Sequence, residues 1–200
     1  MKYKTTISPL IKEIELRKSP VIVRVNKFNE ESAKKFAQQM AQAHNTGQGI
    51  IPVVIDSYGG QVYSLMSMIS AIKNADLPVA TIIEGKAMSC GAILFSFGDD
   101  GMRYMDQNAT LMIHDVSSSE YGKVEEIKAS ADETERLNQI VYKMMAKNCG
   151  HEESYFLDLV HEKGHADWFL DAKEAKKLGL ANHLRLPTLY IDIDVSIKMK

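Results

Sequence analysis

Three times in the first half of the chain, a short β-branched run gives way to a turn or cap residue and then to apolar residues at helical spacing. Val21-Ile22-Val23-Arg24-Val25 predicts a strand, Asn29 an N-cap, and Ala33, Phe36, Ala37, Met40 and Ala41 a helix that Gly47 stops. Val53-Val54-Ile55 runs into Gly59-Gly60, after which Val62, Leu65, Met66, Ile69 and Ile72 share one helical face up to Pro78. Val79 to Ile83 reads as a third strand, Gly85 as a turn, and Ser89 onward through Gly91 to Phe95 as a buried helix. Such alternation predicts an α/β domain whose reactive groups sit on loops at strand ends.

The second half is sparser. Leu111-Met112-Ile113 predicts a short buried strand. Between Gly122 and Gly150 lies the longest helical pattern, with Val124, Ile127, Ala131, Thr134, Val141 and Met145 on a narrow stripe that suits a helix projecting toward a partner. Asp171 and Glu174 form a capping box for a last helix closed by Gly179. Leu189 to Ile197 alternates apolar with polar residues, the period of a half-exposed strand, which makes Asp192 and Asp194 surface carboxylates. The first 19 residues are weakly patterned. No repeat or linker divides the chain, so one domain is expected over residues 1–200: an N-terminal segment 1–19, a core 20–182 and a C-terminal strand and tail 183–200.

Composition narrows the function classes. With 24 Lys and Arg against 26 Asp and Glu, the net charge of −2 supplies no global field toward nucleic acid or an anionic membrane, so neither is an expected partner. No apolar run approaches the roughly 18 residues of a membrane span, and the start resembles no secretion signal, so a cytoplasmic location is expected. Cys90 and Cys149 are too few for a disulfide framework or a four-thiolate zinc site, and a reducing compartment leaves them as thiols.

Four stretches could carry chemistry. In Gly85-Lys-Ala-Met-Ser89-Cys-Gly-Ala92, a Ser between strand and helix can project its hydroxyl beside the N–H groups of a helix start, although a Ser there is more often a simple cap. Asp56-Ser-Tyr-Gly59-Gly60 allows a backbone N–H to approach another group closely, yet fits neither a dinucleotide fingerprint nor a P-loop. His114, after Met112-Ile113, can emerge at a strand end as a base, or sit at the core edge bonded to a backbone carbonyl. His161-Glu-Lys-Gly-His165 formally matches the HExxH zinc-protease signature, but Gly164 weakens the helix the motif needs and no apolar stripe surrounds it. Met66, Met68, Met144 and Met145 lie on or beside helical stripes, where core packing explains them.

Taken in order, Asp56 to Gly60, Gly85 to Ala92, Met112-Ile-His-Asp115 and Asp167-Trp-Phe-Leu-Asp-Ala-Lys-Glu-Ala175 with Leu178 to Ala181 resemble the Clp protease proteolytic subunit family, ClpP. The resemblance runs from about Val21 to Asn182. It implies an α/β ClpP/crotonase-like fold of repeated strand-strand-helix units with a protruding handle helix at about 122–148. It implies Ser89 as nucleophile, His114 as general base, Asp167 as the acid orienting the base, and the N–H groups of Gly60 and Cys90 as oxyanion hole, with no cofactor or metal. It further implies peptide or unfolded-protein substrates, heptameric rings stacked as a tetradecamer, and an AAA+ unfoldase such as ClpX or ClpA. Asp115 and Asp171 compete for the acid's place; Asp171 is better explained as an N-cap, and Asp115 would point across the opposite strand face.

The sequence also departs from the family's pattern. Tyr58 stands where a Pro is usual in the glycine loop, Asp115-Val116 where Gln-Pro follows the base, and Ala166 where an Arg ties rings to active site. The segment before Pro20 lacks the axial-loop pattern. These differences fit a divergent, phage-type member. Three rival classes make separate predictions: a crotonase-like acyl-CoA enzyme needs no Ser89, a non-catalytic ring or capsid-assembly subunit reacts with no serine probe, and a zinc protease depends on His161 and His165.

Overall fold

The computed structural model describes residues 2–5, 19–164 and 166–191. Its elements are, in order, β1 (Lys2–Thr5), β2 (Val23–Val25), α1 (Glu30–Ala43), β3 (Ile51–Ser57), α2 (Val62–Lys73), β4 (Val79–Met88) and α3 (Cys90–Phe95). There follow β5 (Arg103–Met105), β6 (Thr110–Ile113), α4 (Val124–Asn148), α5 (Tyr155–Glu162), β7 (Trp168–Leu170), α6 (Ala172–Lys177) and β8 (Thr188–Ile191).

The larger sheet runs β2-β3-β4-β6-β7, with β5 also paired to β4. All these pairings are parallel except that of β6 with β7. Val79 to Ile83 of β4 is buried throughout, the continuous apolar run expected of a parallel strand covered on both faces. Its polar member, Thr81, donates its hydroxyl to the Phe95 carbonyl at 2.7 Å, so nothing is left unsatisfied there. One edge of β4 is served in turn by two strands: Thr81 to Ile83 pair with β5, and Lys86 to Met88 pair with β6. This hand-over brings Ser89 beside the end of β6. The result is the α/β architecture that the alternation of strand and helix predicts.

The starts of α1 and α6 follow the expected side chains. Asn29 accepts from the Ser32 N–H at 2.8 Å and Ser32 Oγ accepts from the Asn29 N–H, while Asp171 and Glu174 make the same reciprocal pair at the start of α6. The expected turn at Gly85 is not a turn. Gly85 lies inside β4, where the register slips so that Ile83 opposes Ile55 but Ala87 opposes Ser57. A glycine suits the irregularity because a Cβ there would sit 3.3 Å from Asp56 Oδ1. Met68 and Met145 are fully buried, with Met66 and Met144 packed against the same core.

Burial divides α4. Leu137, Asn138, Val141, Tyr142, Met145 and Ala146 are buried, whereas no residue from Val124 to Arg136 is, and Val124 and Ile127 are exposed. α5 ends at Glu162, and Gly164 adopts a left-handed φ of +73°. His161 therefore occupies a last helical turn, and one helix does not carry the whole HExxH stretch; His165 lies outside the described residues. β8 pairs with β1 in a separate two-stranded sheet, so the expected alternating strand is seen as far as Ile191. Asp192, Asp194 and the rest of that pattern lie outside the described residues. Among the described residues no helix is long and apolar enough to cross a membrane.

Candidate active site

The C-terminal ends of β3, β4 and β6 meet, the place where open parallel sheets hold their ligands. At the end of β3 the chain enters Tyr58-Gly59-Gly60, with Gly59 N–H donating to the buried Ser57 Oγ at 3.1 Å. Gly59 and Gly60 have φ of +107° and +148°, values that L side chains rarely adopt. Space requires them as well: a Cβ on Gly59 would lie 2.7 Å from Ser89 Cβ, and one on Gly60 would strike the Phe28 carbonyl oxygen. The glycine loop thus lies directly against Ser89, pinned from its far side by the Gln61 N–H bond to Phe28 O at 2.8 Å.

Ser89 joins β4 to α3. Its N–H donates to Met112 O of β6 at 2.9 Å, and its carbonyl accepts from the Ala92 and Ile93 N–H groups. It is the non-glycine residue with positive φ among the described residues, at φ 53° and ψ −121°. An N-cap serine normally has extended backbone and accepts from the next turn; Ser89 does neither. The expectation of a simple cap therefore gives way to a hydroxyl held on a strained strand-to-helix turn, the arrangement of a nucleophile elbow. Cys90 follows, with its thiol donating to Gly60 O at 3.2 Å. Burial pushes that thiol up to about 11, so it stays protonated and unreactive near neutrality.

His114 comes one residue after β6 ends at Ile113. Its carbonyl accepts from the Tyr142 hydroxyl at 2.7 Å, and burial raises the Tyr142 pKa, which keeps that hydroxyl a donor. Among the described residues its ring makes no bond to a backbone carbonyl. Ser89 and His114 instead line one cavity of about 60 Å3, together with Gly60 and Cys90 and walled by Val62, Leu65, Ile93, Ile113, Val116 and Val141.

Asp167 is exposed and lies just before β7. Ile113 opposes Trp168 at the end of the antiparallel β6–β7 pair, so His114 and Asp167 each lie one residue beyond that pairing. Among the described residues no hydrogen bond joins the Ser89 hydroxyl, the His114 ring and the Asp167 carboxylate to one another. Asp171 is engaged as the α6 cap, and Asp115 accepts from Asn138 Nδ2 at 2.8 Å.

A larger cavity of about 600 Å3 opens elsewhere, lined by Lys73, Asp99, Arg103, Lys147 and neighbours, with none of the candidate residues in it. The buried Arg103 donates there to the carbonyls of Gly98, Gly179 and Leu180, a framework role. No three His, Cys, Asp or Glu among the described residues gather closely enough to hold a metal ion. Sequence reasoning missed Tyr142 and Asn138. The available signal was the polar residue at 138, between the apolar positions of the α4 stripe.

Residues 10–186 match the family model described as Clp protease, most of the chain. The chain belongs to the Clp protease family, which supports a peptidase of the serine type acting on protein substrates.

Proposed function

We propose that this Clp protease family member cleaves peptide bonds through an acyl-enzyme on Ser89. The observation that carries the reading is the strained Ser89 backbone, free of any capping bond, with its residue and His114 lining one small cavity. A neutral hydroxyl attacks poorly, so the His114 imidazole takes its proton as Ser89 Oγ adds to the scissile carbonyl. Asp167, one register step beyond the β6–β7 pair, orients the imidazole and stabilises the imidazolium. The N–H groups of Gly60 and Cys90 hold the oxyanion, where losing one donor costs about 3–4 kcal/mol of barrier. His114 then returns the proton to the leaving amine, and a water activated by the same ring releases the acid. Side-chain rotation on binding closes the hydrogen bonds, which are often long in a free enzyme. The apolar walls of the cavity suit a small apolar side chain on the acyl side of the cleaved bond.

The chain acts as one domain within stacked heptameric rings. The uncovered outer half of α4, with Val124 and Ile127 exposed, supports a contact between chains there. An AAA+ unfoldase feeds the enclosed sites with unfolded protein.

A fluorophosphonate probe with peptide mapping, run beside sizing of the native particle, tests this. Label on Ser89 in a large particle, with Ser89→Ala assembling normally but cleaving nothing, is the expected result. Peptide cleavage retained by Ser89→Ala removes Ser89 from the mechanism, and an unlabelled particle leaves a non-catalytic ring.

A further inference from the structure

His114 stands at a weak point of the sheet. The β6 ladder stops at Ile113, and residues 114–123 form no regular element, so the sheet itself does not hold the imidazole-bearing residue. What holds this segment is α4. Tyr142 donates to the His114 carbonyl at 2.7 Å, Asn138 Oδ1 accepts from the Val116 N–H at 2.9 Å, and Thr134 Oγ1 lies 2.9 Å from Ser118 Oγ. The helix partners are spaced by four, and their targets by two in the opposite direction. Four helical residues rise about 6 Å and two extended residues span about 6.6 Å, so the two elements stay in step.

Asn138 is the centre of this ladder and is 5% exposed. A backbone N–H can only donate, so the atom facing Val116 is the amide oxygen, which turns Nδ2 toward Asp115 Oδ1 at 2.8 Å. One side chain thereby fixes a backbone donor and a carboxylate on consecutive residues directly after His114. Val116 also lines the cavity that Ser89 and His114 share, so a slip of this segment would move both the wall and the base.

We infer that Asn138 is a positioning residue, clamping Asp115 and Val116 so that His114 is presented to Ser89. This rests on the reading of Ser89 and His114 as nucleophile and base. A shift of about 1 Å in such a group can cost about 100-fold in rate. The clamp has a reversible polarity: an aspartate at 138 still accepts from Val116 N–H but meets Asp115 as a like charge, whereas an asparagine at 115 can donate to it.

The test uses the full chain in its native particle and compares the natural sequence with Asp115→Asn, Asn138→Asp and the double variant. The readouts are the fluorophosphonate labelling rate of Ser89 and the melting temperature. The natural chain and Asp115→Asn should label at similar rates, since the amide oxygen introduced at 115 can still accept from Asn138. Asn138→Asp should label about 100-fold more slowly, and Asp115→Asn with Asn138→Asp should recover most of that loss. A double variant that regains the natural melting temperature but not the labelling overturns the inference, as does one that stays unfolded, or an Asn138→Asp chain that labels normally. Slow labelling of Asp115→Asn also overturns it, because Asp115 is then the acid rather than a clamped group. A natural chain that does not label at Ser89 overturns the catalytic reading itself, and the assigned role of Asn138 with it.

Discussion

The two sides of the cavity are held by different kinds of bond. On one side, Ser89 is fixed by backbone: its N–H on Met112 O, its carbonyl under Ala92 and Ile93, and the glycine loop pinned to Phe28 O. On the other, His114 lies past the end of its strand, in a segment bonded by side chains that α4 supplies. Backbone bonds survive most substitutions and fail when a new atom cannot fit. Side-chain bonds fail one at a time, as each donor or acceptor is removed. The Ser89 half should therefore break abruptly and the His114 half by degrees.

The sharpest break should come from Gly59→Ala. Its Cβ would fall 2.7 Å from Ser89 Cβ at a φ of +107°, which combines a steric clash with a left-handed backbone. Stability should drop by about 2 kcal/mol or more, and Ser89 labelling by about 100-fold or more. Melting temperature and probe kinetics check both. Labelling near the natural rate would show that the loop does not constrain Ser89.

Tyr142→Phe should be gentler. It keeps the buried ring and removes only the hydroxyl on the His114 carbonyl, costing about 1 kcal/mol of stability and slowing Ser89 labelling about tenfold. An effect as severe as that of Gly59→Ala would erase the distinction between the two halves.

The smallest effect concerns a brace between them. Glu133 of α4 takes two bonds from Arg136 and one from the Tyr63 hydroxyl of α2, three residues beyond Gly60. Arg136 first and Tyr63 second hold its carboxyl down at about 2. Because the folded value lies below the ordinary one of about 4.3, the bridge's contribution is fully present above that value and is lost as pH falls through about 2. Carbon-detected NMR titration of Glu133 should show a midpoint near the lower value. A midpoint near 4 would mean that the brace is open in solution.

Local chemistry explains what was legible. Asn29, Asp171 and the apolar spacings of α1, α2 and α4 announce those elements, because caps and helical faces are settled within one or two turns. β5 and β7 gave no such signal. Each has three residues and exists because a neighbouring strand offers an edge. Gly85 looked like a turn because a glycine in a polar stretch usually is one; only the slip against β3 makes it an irregularity inside a strand. Ser89, His114 and Gly60 could be singled out by residue type and surrounding pattern, whereas Tyr142 could not and Asn138 showed only as a polar residue on an apolar stripe, since nothing near them in the chain announces partners 22 to 28 residues away.

The alternation of strand and helix in the first half, the capped starts at Asn29 and Asp171 and the place of Ser89 before a buried helix were properties of the sequence, written in residue preferences that act over a few positions. The tertiary structure alone decided that Ser89 takes a left-handed backbone, that it shares a cavity with His114, and that α4 bonds the segment that follows β6. Those outcomes depend on which distant surfaces pack together, where a missing Cβ or one shared hydrogen bond selects the geometry, and short-range pattern carries no record of that selection.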